Sequence, residues 1–214
     1  MRRIVSSRVR SPGLLARLAV LASVASLIAL ATRDSAAMPI EPFVAGGIVA
    51  PTASNYRNAA QQLGYEHSKT KLNFDVELGA LFGIAFDNRL WIGPALRFDI
   101  GRMGAPYDGI DPIRTDAASF ALREELQLFR WPKFLLWVDE SVGLGRIGTS
   151  DASKTLPLWG VRFGLAFRIG NQQPAMRLRF GYGIVPTFSP VTGAGRYDFG
   201  GFVFAIDGVL RVFE

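Results

Sequence analysis

The chain is 214 residues long, 49% hydrophobic, 20% charged and formally +6, with 23 glycines, 16 phenylalanines, one histidine and no cysteine. A disulfide framework, a thiolate metal site, a thiol nucleophile and a multi-histidine metal centre are thereby excluded, and the apolar and aromatic content is too high for a disordered chain. No cofactor is expected, and whether the positive charge points to nucleic acid depends on where along the chain it lies.

It lies at the beginning. Residues 1–37 carry Arg2, Arg3, Arg8, Arg10, Arg17 and Arg33 with one acid, Asp34, around the largely apolar run 18–31 and a small-residue end, Ser35-Ala36-Ala37. This order of charged, apolar and small residues predicts a secretory signal peptide, cleaved after Ala37 or Ala31. Fourteen residues of helix reach roughly 21 Å, too short for a comfortable bilayer crossing. Six of the 24 basic and one of the 18 acidic residues go with it, so residues 38–214 keep 18 and 17. Nucleic-acid binding needs a clustered basic excess, and the mature chain has none.

A short, irregular strand is predicted at 40–50. Loop 51–70 follows, with modest helical propensity over Ala53–Gly64. The clearest strand is 72–86, where Leu72, Phe74, Val76, Leu78, Ala80, Phe82, Ile84 and Phe86 alternate with Asn73, Asp75, Glu77, Gly79, Leu81, Gly83 and Ala85. After a tight turn at 87–89, strand 90–101 repeats the rule. Loop 102–115, strand 117–130, turn 131–133, strand 134–147, loop 148–155, strand 158–169, turn 170–175, strand 176–188, loop 189–198 and strand 199–213 complete the chain. Strand starts near 72, 117, 158 and 199 recur every 41 to 45 residues. Eight amphipathic strands joined by alternating tight turns and longer loops predict an all-β, eight-stranded, antiparallel up-and-down transmembrane β-barrel, residues 38–214, preceded by a cleavable signal peptide, 1–37. Strands of about 13 residues tilted ~40° rise roughly 30 Å, enough to cross an outer membrane.

A soluble, lipocalin-like barrel would also have eight strands, and the residue types separate the two. The polar face mixes charges with many glycines, as a narrow lumen requires, while the opposite face is Leu, Ile, Val and Phe, as lipid contact requires. Strand parity assigns Asp75, Glu77, Asp99, Glu125, Asp139 and Asp207 to the lumen together with Arg97, Arg123, Arg162, Arg168, Arg177, Arg179 and Arg211. Ionised groups persist there only when paired, so a salt-bridged plug is expected, with a gated ion path as the alternative.

The signal peptide, the amphipathic strands, the alternating loops and the charged lumen together resemble the small eight-stranded outer-membrane barrels of the OmpA and OmpX kind, over about residues 40–214. The resemblance implies a monomer in the bacterial outer membrane, surrounded by its lipid and inserted by the barrel-insertion machinery. That machinery reads a terminal aromatic strand; here Phe213 is followed by Glu214, and Arg211 and Asp207 interrupt the row counted back by twos. A peptidoglycan-binding domain of the OmpA type is not expected. A structural or surface-interaction role follows, with loops 51–70 and 102–115 as contacts for a surface ligand. A narrow pore and a lipid-modifying enzyme are the alternatives, and no enzymatic activity is expected.

Isolated motifs add little. Gly143-Leu144-Gly145-Arg146-Ile147-Gly148 matches a dinucleotide fingerprint, but a loop and not a helix should follow it. Glu66-His67-Ser68 cannot form a triad by itself, since adjacent extended residues point opposite ways. Glu124 and Glu140 interrupt the lipid face; a three-residue turn at 131–133 would set them directly opposite each other, and a β-bulge turning one inward would relieve the cost. Pro94 implies a local ladder defect. Most tryptophans and tyrosines are expected in interfacial girdles, with Trp137 the exception.

Overall fold

The computed structural model describes residues 39–52, 61, 71–85, 89–103, 111–128, 133–169, 174–189 and 196–210. The chain divides into Met1–Asp34, outside the described residues, and Ser35–Glu214, which holds all the strands. The expected signal peptide, Glu66-His67-Ser68, Arg211 and Phe213 also lie outside, as do all of 53–64 but Gln61 and turn residues Trp131 and Pro132.

The strands are β1 (Ile40–Pro51), β2 (Asn73–Ala85), β3 (Leu90–Ile100), β4 (Ile113–Gln127), β5 (Phe134–Gly148), β6 (Ser153–Ile169), β7 (Ala175–Ile184) and β8 (Gly201–Val209). Each pairs antiparallel with its sequence neighbours, and β8 pairs with β1, so the sheet closes. Closure leaves no free edge, the condition for backbone in hydrocarbon.

The partners Ile40, Phe82, Ile92, Glu124, Val138, Phe163, Tyr182 and Phe202 lead once around the barrel and return to β1 at Ala50, ten residues along. Eight strands with that stagger, a 3.3 Å rise and a 4.8 Å spacing give a tilt of about 41° and a Cα radius of about 8 Å. A cylinder of that radius has room for side chains and little else. Glycine makes the room: a Cβ on Gly183 would lie 2.6 Å from Arg162 Cγ, and one on Gly181 would lie 2.5 Å from Trp137 Cζ2.

The outer end of the wall is taller than the sequence suggests. Arg102–Met103 continue β3 beyond Gly101 and pair with Arg114 and Ile113, so part of the expected 102–115 loop is strand. Strand β6 begins at Ser153, and the expected 148–155 loop contracts to a turn in which Thr149 N donates to Ala152 O at 2.9 Å. The reason is chemical. Above the apolar belt the outward positions become Arg114, Asp116 and Arg146, which hides the alternation, while the inward positions Ile113, Ile147, Leu156 and Leu158 remain apolar. At β7 the strand stops at Ile184, short of 188, and only isolated bridges, Leu158 to Thr187 and Pro186 to Asp198, continue it. Near Pro94 the β2–β3 partners skip from Gly79–Ala95 to Phe82–Ile92, the ladder defect expected where an N–H is missing.

Candidate functional site

The inward positions carry the charge. Of the thirteen lumen residues named from parity, Asp75, Glu77, Arg97, Asp99, Arg123, Glu125, Asp139, Arg162, Arg177, Arg179 and Asp207 are buried. Arg168 sits near the end of the lumen, with 15% of its side chain exposed, and Arg211 lies outside the described residues. Parity missed Glu41, which is buried on β1 and faces Arg168 Nη1 at 3.6 Å and Arg177 Nη1 at 3.9 Å. Its place two residues before Phe43 was the available signal, obscured by the weak alternation of β1.

Two groups of ion pairs result. In the larger, Arg123 approaches four carboxylates: Glu77, Asp139 at 3.0 Å, Asp207 at 3.5 Å and Glu125 at 3.8 Å. Arg97 joins Asp139 and lies 3.7 Å from Glu77, and Arg179 bridges Asp207 at 2.8 Å and Glu77 at 3.2 Å. Arg177 reaches Glu125, and Asp207 at 3.6 Å, and through Glu41 connects to Arg168. Five arginines thus meet five carboxylates. In the smaller group, nearer the outer end, Arg162 spans Asp75 at 3.1 Å and Asp99 at 2.8 Å, which are register partners on β2 and β3. The guanidinium fork suits this arrangement because one planar group serves several carboxylates. Its flat faces are used as well: Arg123 lies over the Phe43 ring at 4.3 Å and Arg179 over the Trp137 ring at 5.2 Å.

Apolar side chains close the lumen above the charges at the long-loop end and are interleaved with them below. Ile113, Ala117, Ile147, Leu156, Leu158, Val185, Tyr197 and Phe199 form one buried cluster at the long-loop end. Phe43, Ala45, Leu81, Trp91, Ala95, Ala121 and Val209 form another that shares the lower lumen with the charges, Phe43 lying under Arg123 and Trp91 pairing with Glu125. Trp91 and Tyr197 are therefore lumen residues and not girdle residues, as the inward parity of Trp91 on β3 requires.

Outside, the alternate positions are exposed and apolar, Phe74, Phe202 and Val44 at 62%, 66% and 63% among them. From Leu72, just before β2, to Phe82 the outward row is about 25 Å tall at this tilt, the height of an outer-membrane apolar band. A closed eight-stranded antiparallel barrel with such a belt is a transmembrane barrel of the outer-membrane type. Glu124 and Glu140 both stand on this outer face, on the parity of Leu122 and Leu126. No bulge turns them inward. Nor do they oppose each other: Glu124 pairs with Val138 and Glu140 with Leu122, a register two residues from the one a turn at 131–133 would impose. After Gly148 the chain turns into β6, and no helix follows the glycine motif to hold a pyrophosphate.

No family model matches the chain, and no curated protein matches it in sequence. Among solved structures, it is similar to Neisserial surface protein A at 13% identity and a TM-score of 0.48, covering 81% of this chain and 97% of that one. It is also similar to the outer-membrane protein Ail of Yersinia pestis in a phospholipid nanodisc, at 15% identity and a TM-score of 0.43 over 80% of this chain and 99% of that one. A de novo designed transmembrane β-barrel matches at 11% identity and a TM-score of 0.38 over 84% of this chain and all of the design.

Proposed function

We propose that the chain is an integral outer-membrane protein with a structural and surface-interaction role, in which the barrel is a closed anchor and the external loops make the specific contacts. The observation that carries this reading is the lumen, where ten charged side chains in one network and three in another fill the cross-section below the apolar cluster of the long-loop end. A solute would have to break several arginine–carboxylate pairs to pass, so transport is disfavoured and the outer surface is left to act. Its partners on this reading are the surrounding outer-membrane lipid, the insertion machinery during biogenesis and a surface ligand on the loops. The protein works as a monomer.

Current recording with the refolded chain in planar bilayers tests the closed lumen, with no discrete conductance steps expected. Replacing residues 53–70 by a short Gly-Ser link tests the loop. The folded barrel should survive, seen as heat-modifiable migration, while binding of the chain's cell-surface ligand is lost. Discrete channel events, or unchanged surface binding without this loop and loop 104–112, overturn the reading.

A further inference from the structure

The rim of the barrel at the long-loop end carries a feature that a closed anchor alone does not require. Arg102 and Arg114 are direct cross-strand partners, both on outward positions and both exposed. Like charges directly opposite each other destabilise an antiparallel pair. A third exposed arginine, Arg146, stands diagonally on the neighbouring strand, since Arg114 pairs with Gly148 and Asp116 with Arg146. Every arginine described in the lumen has a carboxylate within 4 Å, whereas Arg114 and Arg146 have none among the described residues, Asp116 included. The contact that Arg146 does make, from Nε to Ser153 Oγ at 3.1 Å, fixes the plane of the guanidinium and leaves its terminal nitrogens to other acceptors.

Directly below these arginines the wall is hollowed. A groove of about 580 Å³ runs over Phe98, Ile100, Ala118 and Leu144 and is bordered above by Asp116, Arg146 and Thr155. Its floor follows from the register. Ala118 lies between its partners Phe98 and Leu144, so a methyl group separates two large side chains. The row Asp116, Arg146 and Thr155 crosses three strands immediately above it, at the upper edge of the belt. An apolar trough that ends beneath Arg114 and Arg146 complements a molecule with an acyl chain below and an anionic group above.

We propose that this rim is a binding site for a phosphorylated, acylated lipid of the outer leaflet, with its phosphate on Arg114 and Arg146 beside Arg102 and one acyl chain in the groove over Ala118. A phosphate between Arg114 and Arg146 supplies the anion that neither has among the described residues, and guanidinium groups match phosphate oxygens in bidentate geometry. The occupant is a lipid and not free phosphate because the apolar groove lies on the hydrocarbon side of the cations. The site rests on the membrane reading of the barrel, and it concerns one sector of the wall independently of loops and lumen.

Native mass spectrometry of the refolded chain, released from detergent micelles containing purified lipopolysaccharide, tests it. Wild-type protein should retain one lipid. R114Q/R146Q should retain it roughly 30-fold more weakly, about fivefold for each basic group at an anionic surface. A118W, which fills the groove and keeps the arginines, should also lose it, and dephosphorylated lipopolysaccharide should bind like the double variant. R89Q/K133Q, at the opposite rim, controls for general charge and should bind as wild type. Folding of every variant is checked by heat-modifiable migration, and failure of the wild type to fold in micelles would count against the membrane barrel itself. Equal retention by wild type and R114Q/R146Q overturns the proposal. So does equal retention of the dephosphorylated lipid, or displacement by inorganic phosphate with A118W unaffected.

Discussion

Arg162 and Arg123 differ in a way that makes the ion-pair account quantitative. Arg123 has four carboxylates within 4 Å and Arg162 has two, so a count of contacts predicts that Arg123→Met is the more damaging change. The consequences for the carboxylates predict the reverse. Without Arg123, Glu77 keeps Arg97 and Arg179, Asp139 keeps Arg97, Glu125 keeps Arg177, and Asp207 keeps Arg177 and Arg179. Without Arg162, Asp75 and Asp99 keep no basic group within 4 Å among the described residues and face each other as register partners. Breaking a buried pair by removing one partner costs about 3–5 kcal/mol, chiefly through the charge left uncompensated. R162M should therefore fall at the upper end, about 5 kcal/mol, and R123M at about 3, a difference of more than tenfold in the unfolding equilibrium. Urea unfolding of the refolded barrel in lipid vesicles, followed by fluorescence of the buried Trp91 and Trp137, measures both. Adding D75N and D99N to R162M should recover most of the loss, because it removes the unpaired charge. If R123M proves as destabilising as R162M, or the triple variant recovers nothing, uncompensated charge is not what governs this lumen.

The same titration tests the outer face. Leu78→Arg, near mid-belt, should cost about 2–4 kcal/mol, and Leu72→Arg, at the outer edge of the belt, about 0–1 kcal/mol; equal costs would contradict the assigned depth. Glu140 stands in the belt with Oε1 unpartnered, so Glu140→Leu should raise stability by about 1–2 kcal/mol, whereas a loss would point to a partner for that carboxylate in the membrane.

The division between the two faces was legible in the sequence because lipid and lumen impose opposite demands on alternate residues. Eleven of the named lumen residues are buried for that reason alone. Who pairs with whom was not legible. The arginine–carboxylate contacts join residues as far apart in sequence as Glu41 and Arg177, and they depend on barrel stagger, which accumulates turn by turn. One turn shows the effect: the β4–β5 connection sets Leu126 against Leu136, and a register two residues different would have placed Glu124 against Glu140. Glu41 escaped notice because glycines at 46 and 47 blur the alternation of β1. The rim arginines read as loop because polar outward positions above the belt look like an end to the strand pattern, although Ile113 and Ile147 continue it on the inside.

Because the chain has no cysteine, a single one placed in the lumen reports directly on whether the barrel is closed. Ser141 and Ser119 are buried among the charged side chains at 3% and 8% exposure. The decisive measurement is the rate at which a water-soluble maleimide labels Ser141→Cys in the folded, membrane-inserted protein, relative to the same cysteine after unfolding in urea. A closed lumen predicts labelling at least a hundredfold slower than in the unfolded chain, since water-borne reagent must wait for the barrel to open. Labelling at a rate near that of the unfolded chain would mean a water-filled passage and would contradict the plugged anchor.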